Sequence, residues 1–207
     1  MTIEKDKIVE RLIRREAEKT HRDFLQQMHP YFGLEKPPEP VRIDVSYDME
    51  IDKALYLGRR YEYSIIFGAK DAGGYSVKDV KLVIKHSSAH ETAHHLHSLF
   101  FDEHFMSRNI YSKEHKKKEM ARELVAELGT LVFFGRRGNL EEYLGVMEIF
   151  EYKPNSIVYD FFGNMPLESN RETLRQISAQ RNLPKILQVL DEKGFDKKEL
   201  YKRLKAI

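Results

Sequence analysis

Four of the chain's seven prolines fall within eleven residues, at Pro30, Pro37, Pro38 and Pro40, so no continuous helix or central strand can cross that stretch. Each lacks an amide donor and fixes φ at about −65°. Glu35-Lys36-Pro37-Pro38-Glu39-Pro40 therefore reads as a stiff, extended connection. Before it, residues 2 to about 28 carry Ile8, Leu12, Ile13, Phe24, Leu25 and Met28, mostly three or four apart on a charged background, as one amphipathic helix requires. After it, Val41 to Tyr47 alternates apolar and polar with period two, and Tyr61 to Phe67 is rich in β-formers. Both read as strands of a small sheet, and residues 1–40 form a helix with its proline-rich connection.

The turn Asp71-Ala72-Gly73-Gly74 leads into Ser76-Val77-Lys78-Asp79, a capping box with Ser76 accepting from first-turn amides and Asp79 reaching back. A helix is expected to start at Val77 and run past Phe101, with Val80, Val83, Ser87, His90, Glu91, His94, Ser98 and Phe101 on one inward face. A competing reading makes Val80 to Ile84 a strand; both leave His90 to His97 helical. Ser112 caps the next helix, whose stripe of Met120, Leu124, Leu128 and Leu131 ends at Gly135, read as its stop. Asn139-Leu140-Glu141-Glu142 is another capping box, followed to Ile207 by short helices separated at Pro154, Pro166, Pro184 and Gly194. The expected fold is α+β and mostly helical, with a core over 41–138 and a helical region over 139–207 packed on it.

The chain has no cysteine, which excludes disulfide scaffolds, thiolate zinc fingers, iron–sulfur clusters and a cysteine nucleophile. Any metal must sit on His, Asp or Glu. Seven of the nine histidines lie between His86 and His115, among them His90-Glu91-Thr92-Ala93-His94, an H-E-x-x-H on a predicted helix. The i, i+4 spacing puts both imidazoles on one face, close enough to share one zinc ion. Glu91 projects obliquely beside them, where a general base can reach a water on the metal without displacing a ligand. A third ligand is needed. Twenty-nine residues after His94, Glu123-Leu124-Val125-Ala126-Glu127 puts two carboxylates on one helical face. One of them can complete a His2Glu site and the other can accept the spare N–H of a ligand histidine.

These residues resemble the gluzincin metallopeptidases, in which a glutamate helix of the form E-x-x-A-D or E-x-x-x-D follows the H-E-x-x-H helix. Glu127 stands where the family usually has aspartate. The stretch Arg122 to Gly129 is also similar to the glutamate helix of H-E-x-x-H antirestriction proteins. The resemblance implies a zincin-like core and one Zn2+ per chain. It implies His90, His94 and Glu123 as ligands, Glu91 as base and acid, and Glu127 as outer partner of a ligand histidine. The longer Glu127 side chain leaves the inverse assignment of the two glutamates open. The family's substrate-aligning strand is represented only by Tyr61 to Phe67.

The implied activity is peptide-bond hydrolysis on a peptide or protein substrate. The alternative is a non-catalytic, metal-stabilised interaction protein of antirestriction or DNA-processing type. Tyr111, Tyr143, Tyr159, His104 and His115 are candidates for stabilising the oxyanion. His95 reads as a rim residue, His97 as an outer partner on the ligand arc, and His86, His104 and His115 as surface groups. Exposed, metal-free roles for His90 and His94 are opposed by the apolar residues sharing their face, since buried His and Glu without partners cost several kcal/mol. Di-iron helical bundles also use E-x-x-H but need two such motifs, and with Glu91-Thr92-Ala93-His94 read as the only one, a single-metal site is expected. Nucleotide-binding glycine loops and a serine-hydrolase elbow are absent from the sequence.

At 41% hydrophobic and 33% charged, the chain is neither a disordered tail nor a membrane protein. A net charge of +2 gives no ground for a nucleic-acid partner, and the local basic clusters read as solvated faces. The charged amino terminus and the lack of a long apolar run lead to the expectation of a cytoplasmic protein with no membrane partner.

Overall fold

A computed structural model describes residues 2–51, 53–59, 62–101 and 113–149. Their order is α1 (Thr2–Met28), β1 (Arg42–Glu50), β2 (Ala54–Arg59), β3 (Glu62–Lys70), α2 (Val77–Phe101), α3 (Lys113–Arg136) and α4 (Leu140–Ile149). The architecture is α+β, mostly helical, with one small sheet. No described helix is long and apolar enough to cross a membrane. The Ser112 cap and the helices expected beyond α4 lie outside the described residues.

Helix α1 buries Ile13, Ala17, Phe24, Leu25 and Met28, as its spacing requires, whereas Ile8 is 63% exposed and Val9 packs on the core instead. Pro30 ends the helix in a short 3₁₀ turn over His29–Phe32, closed by Gly33 at φ 80°, a left-handed conformation that glycine adopts without steric cost. At the far end of the proline-rich connection the Val41 amide donates to Nε2 of His21 on α1, at 3.0 Å.

The sheet order is β1-β3-β2, with β1 and β3 parallel and β2 antiparallel to β3. The expected strand over Tyr61 to Phe67 is β3, the central strand, which buries Ile65, Phe67 and Ala69. Bonded on both sides, it has no free edge, so the expectation that it aligns a peptide fails. The free edge beside α2 belongs to β2. That strand has four consecutive apolar residues, Ala54 to Leu57, in place of alternation, and gave no period-two signal. Where β1 and β3 shift register past Ser46, Gly68 lies against the Glu50 carbonyl, and a Cβ there would stand 1.8 Å from its oxygen.

Helix α2 is helical from Val77, which decides against a strand at Val80 to Ile84. Val80 and Ile84 join Ile13, Ala17, Ile43, Ile65 and Phe67 in the core between α1, α2 and the sheet. At its start Ser76 Oγ accepts from the Asp79 amide at 3.1 Å, while its hydroxyl donates to Asp79 Oδ2 at 2.7 Å. Asp79 thus closes on the serine side chain and not on the serine amide. Against α1 and α3 the helix presents small residues. Ser88 donates to the Ala17 carbonyl at 2.9 Å, and a Cβ on Gly129 would lie 3.6 Å from that of Ala93. Packed by α1, α3, α4, β2 and β3, α2 has few side chains left for solvent, so its polar groups must find partners inside.

Helix α3 does not stop at Gly135. Gly138, at φ 69°, donates to the Gly135 carbonyl and Asn139 to that of Phe134, each at 3.0 Å, a Schellman closure. The chain then turns directly into α4.

Candidate metal centre

His90 and His94 stand one turn apart on α2, and Glu123 on α3 faces both. The two imidazoles meet each other and, separately, the two oxygens of the Glu123 carboxylate. His90 Nε2 is 3.1 Å from Glu123 Oε2, His94 Nε2 is 3.2 Å from Glu123 Oε1, and the two imidazole Nε2 atoms are 3.2 Å apart. Zinc bonds of about 2.0 to 2.1 Å at tetrahedral angles separate neighbouring donors by about 3.3 Å. The three residues are the one group able to hold a metal ion among the described residues.

Glu127, 2% exposed, lies on the other side of His90. Its Oε2 is 3.0 Å from His90 Nδ1, its Oε1 is 3.2 Å from His86 Nε2, and the Tyr143 hydroxyl donates to the same Oε1. Burial opposes protonation of His90, yet hydrogen bonds with Glu123 and Glu127 and the charges of Glu127 and Glu91 raise its pKa well above the ordinary value. Burial likewise favours the neutral form of both glutamates. The histidines win: Glu123 is lowered by His90 and His94, and Glu127 by His86 and His90. The two carboxylates flanking His90 thus favour its charged form.

Glu91 is partly buried, and its Oε2 accepts from the Tyr56 amide on β2 at 2.8 Å. The Tyr56 ring stacks on Tyr63, at 6.0 Å and 6°. Its hydroxyl lies 3.0 Å from Ser98 Oγ and 3.2 Å from His95 Nδ1. Because Ser98 donates to the His95 carbonyl, Tyr56 donates to Ser98 and accepts from the His95 Nδ1–H.

Several expectations are corrected here. His86 is not a surface group: it is 4% exposed and bonded to Glu127. It stands four residues before His90, so the i, i+4 rule that paired His90 with His94 also reaches it. His95 is not on the rim: it is 2% exposed, and burial pushes its pKa down to about 4. Tyr143, an oxyanion candidate, instead donates its hydroxyl to Glu127. His97 is buried. Tyr111, His104 and Tyr159, and the side chain of His115, lie outside the described residues.

The chain does hold a second E-x-x-H, Glu18-Lys19-Thr20-His21 on α1, as a di-iron site would require. The structure uses it otherwise. Glu18 pairs with Arg22 at 3.6 Å, and His21 accepts from the Val41 amide at Nε2, which leaves its Nδ1–H to donate to Thr92 Oγ1 at 2.8 Å. Burial, with His95 and Arg22 nearby, pushes the pKa of His21 down to about 3, in keeping with a neutral ring. His21 is a strut between α1, α2 and the start of β1.

No family model, curated protein or solved structure matches the chain.

Proposed function

We propose that the chain is a zinc-dependent metallopeptidase of the gluzincin type on a zincin-like core. The observation that carries this reading is the convergence of His90, His94 and Glu123, each imidazole 3.1 to 3.2 Å from an oxygen of the carboxylate and 3.2 Å from the other imidazole, with Glu91 on the same helix. Two imidazoles and one carboxylate are a catalytic zinc set that leaves one position open. Bound zinc supplies Lewis-acid polarisation of a scissile carbonyl and brings the pKa of water into the neutral range.

The remaining work falls to the chain's own residues. Tyr56 holds one oxygen of Glu91 through its amide, so the other, Oε1, takes the proton of the attacking water and passes it to the leaving amine nitrogen. The outer edge of β2 runs beside Glu91, and with the Tyr56 amide taken by Glu91, an extended peptide laid along it pairs through the edge's remaining groups. Glu127 fixes the His90 ring through Nδ1, so that Nε2 faces Glu123.

Metal analysis of the purified protein, together with turnover of a mixed peptide library, tests the proposal. One zinc per chain and cleavage are expected. His90→Ala and His94→Ala lose the metal, whereas Glu91→Gln keeps it and loses turnover. Zinc without cleavage would support the non-catalytic interaction protein, and no zinc would refute both readings.

A further inference from the structure

Glu127 is held at both of its oxygens by groups from two other helices. His86 and His90 come from α2 and Tyr143 from α4, while Glu127 itself is on α3. A buried carboxylate with one partner can rotate about its side-chain bonds; one gripped at Oε1 by two partners offers Oε2 in a single direction. That direction is toward Nδ1 of His90, 3.0 Å away. We infer that Tyr143 and His86 are positioning residues of the metal centre, which act through Glu127 to fix the orientation of the His90 ring. The inference rests on the zinc reading above and extends the site to α4, a helix beyond the two that carry the motif.

The packing around α4 is built for this. Tyr143 is 3% exposed, and its ring lies 5.6 Å from that of His86 and 6.0 Å from that of Phe134. One residue earlier, Glu142 takes Lys85 of α2 at 3.0 Å. Half a turn on, Gly145 sits under Leu82, where a Cβ would come within 3.2 Å of its Cδ2. The hydroxyl is thus delivered to Glu127 from a helix docked closely on α2. His86 precedes His90 by one turn on the same face, so one carboxylate bridges two successive histidines of α2. A donor to Oε1 cannot touch a metal held by Nε2 of His90. Its effect must pass through Glu127 and the ring.

Zinc affinity, measured by chelator competition on the whole chain, tests this in a double-variant cycle. Glu127→Ala is expected to weaken zinc binding roughly 10- to 100-fold, as for other outer partners of a ligand histidine, and Tyr143→Phe by less, because it acts one contact further out. The pair together should bind no more weakly than Glu127→Ala alone, because without the carboxylate Tyr143 has nothing left to orient. Additive losses, or a Tyr143→Phe protein with wild-type affinity, overturn the inference. Should Tyr143→Phe fail to fold, His86 decides. His86→Leu is expected to lose affinity and His86→Gln, which keeps an N–H donor, to regain most of it; equal affinities for the two overturn the inference. A second readout is the visible spectrum of the cobalt-substituted protein, which reports ligand geometry: a band shift is expected in Tyr143→Phe, and an unchanged spectrum counts against the inference. Wild-type protein that takes up no zinc would instead overturn the proposed function, and this inference with it.

Discussion

In the proposed metal site, zinc binding displaces a proton from His90. Both ring nitrogens face carboxylates at 3.0 and 3.1 Å, and these partners keep His90 protonated well above the ordinary histidine range despite its burial. One proton released per zinc raises the apparent affinity about tenfold per pH unit until the raised pKa is reached. Between pH 6.0 and 7.5 that is roughly 30-fold, or about 2 kcal/mol. The metal-free protein should show the opposite trend. A raised His90 pKa contributes stability that is full below its unfolded value of about 6.5 and is lost as pH rises through the folded value. Glu123 and Glu127, with lowered pKa values, contribute stability present above about 4.5 and lost as pH falls through their folded values. Metal-free stability should therefore peak between about 4.5 and 6.5 and decline on the alkaline side, while zinc stabilises increasingly over the same range. Thermal melts with and without zinc across this range, and chelator competition corrected for the chelator's own protons, measure both trends. An affinity that does not change between pH 6.0 and 7.5 would refute the assignment of the displaced proton to His90.

Removing the two glutamates singly should separate their roles, since Glu123 faces Nε2 of both histidines whereas Glu127 meets His90 at Nδ1. Glu123→Ala is expected to bind zinc far more weakly than Glu127→Ala, by chelator competition under one condition; the reverse order would exchange the roles. Gly68→Ala should lower stability by about 3 kcal/mol or more, because its Cβ would need to pass the Glu50 carbonyl and force β1 from β3. Urea unfolding checks this, and a loss under about 1 kcal/mol would show that the strands separate easily.

The features read correctly from the sequence are local ones. Pro30 ends α1 and Gly33 closes the turn, whatever packs around them. Period two marked β1 and a run of β-forming residues marked the centre of β3, while Ser76 and Asp79 marked the start of α2. The placing of His90 beside His94 follows from 3.6 residues per turn alone. Errors began where a residue's role depends on what lies opposite. His86 and His95 were read as surface and rim groups, but Glu127 of α3 and Tyr56 of β2 lie across from them and both are buried.

The sequence by itself determined where α1 breaks, which face of α1 turns inward, where α2 starts, and that any metal must be held by imidazole and carboxylate. Only the tertiary structure decided that β3 is central and that β1 and β2 are the edges, because strand order depends on pairing between segments and not on the pattern within one. It also decided the fates of the histidines. His21 holds a backbone amide, His86 holds Glu127, His95 is buried against Tyr56, and His90 and His94 meet Glu123. An imidazole is similar on paper at every position; the helix packed across from it sets whether it meets an amide, a carboxylate or a phenol, and that partner sets its proton.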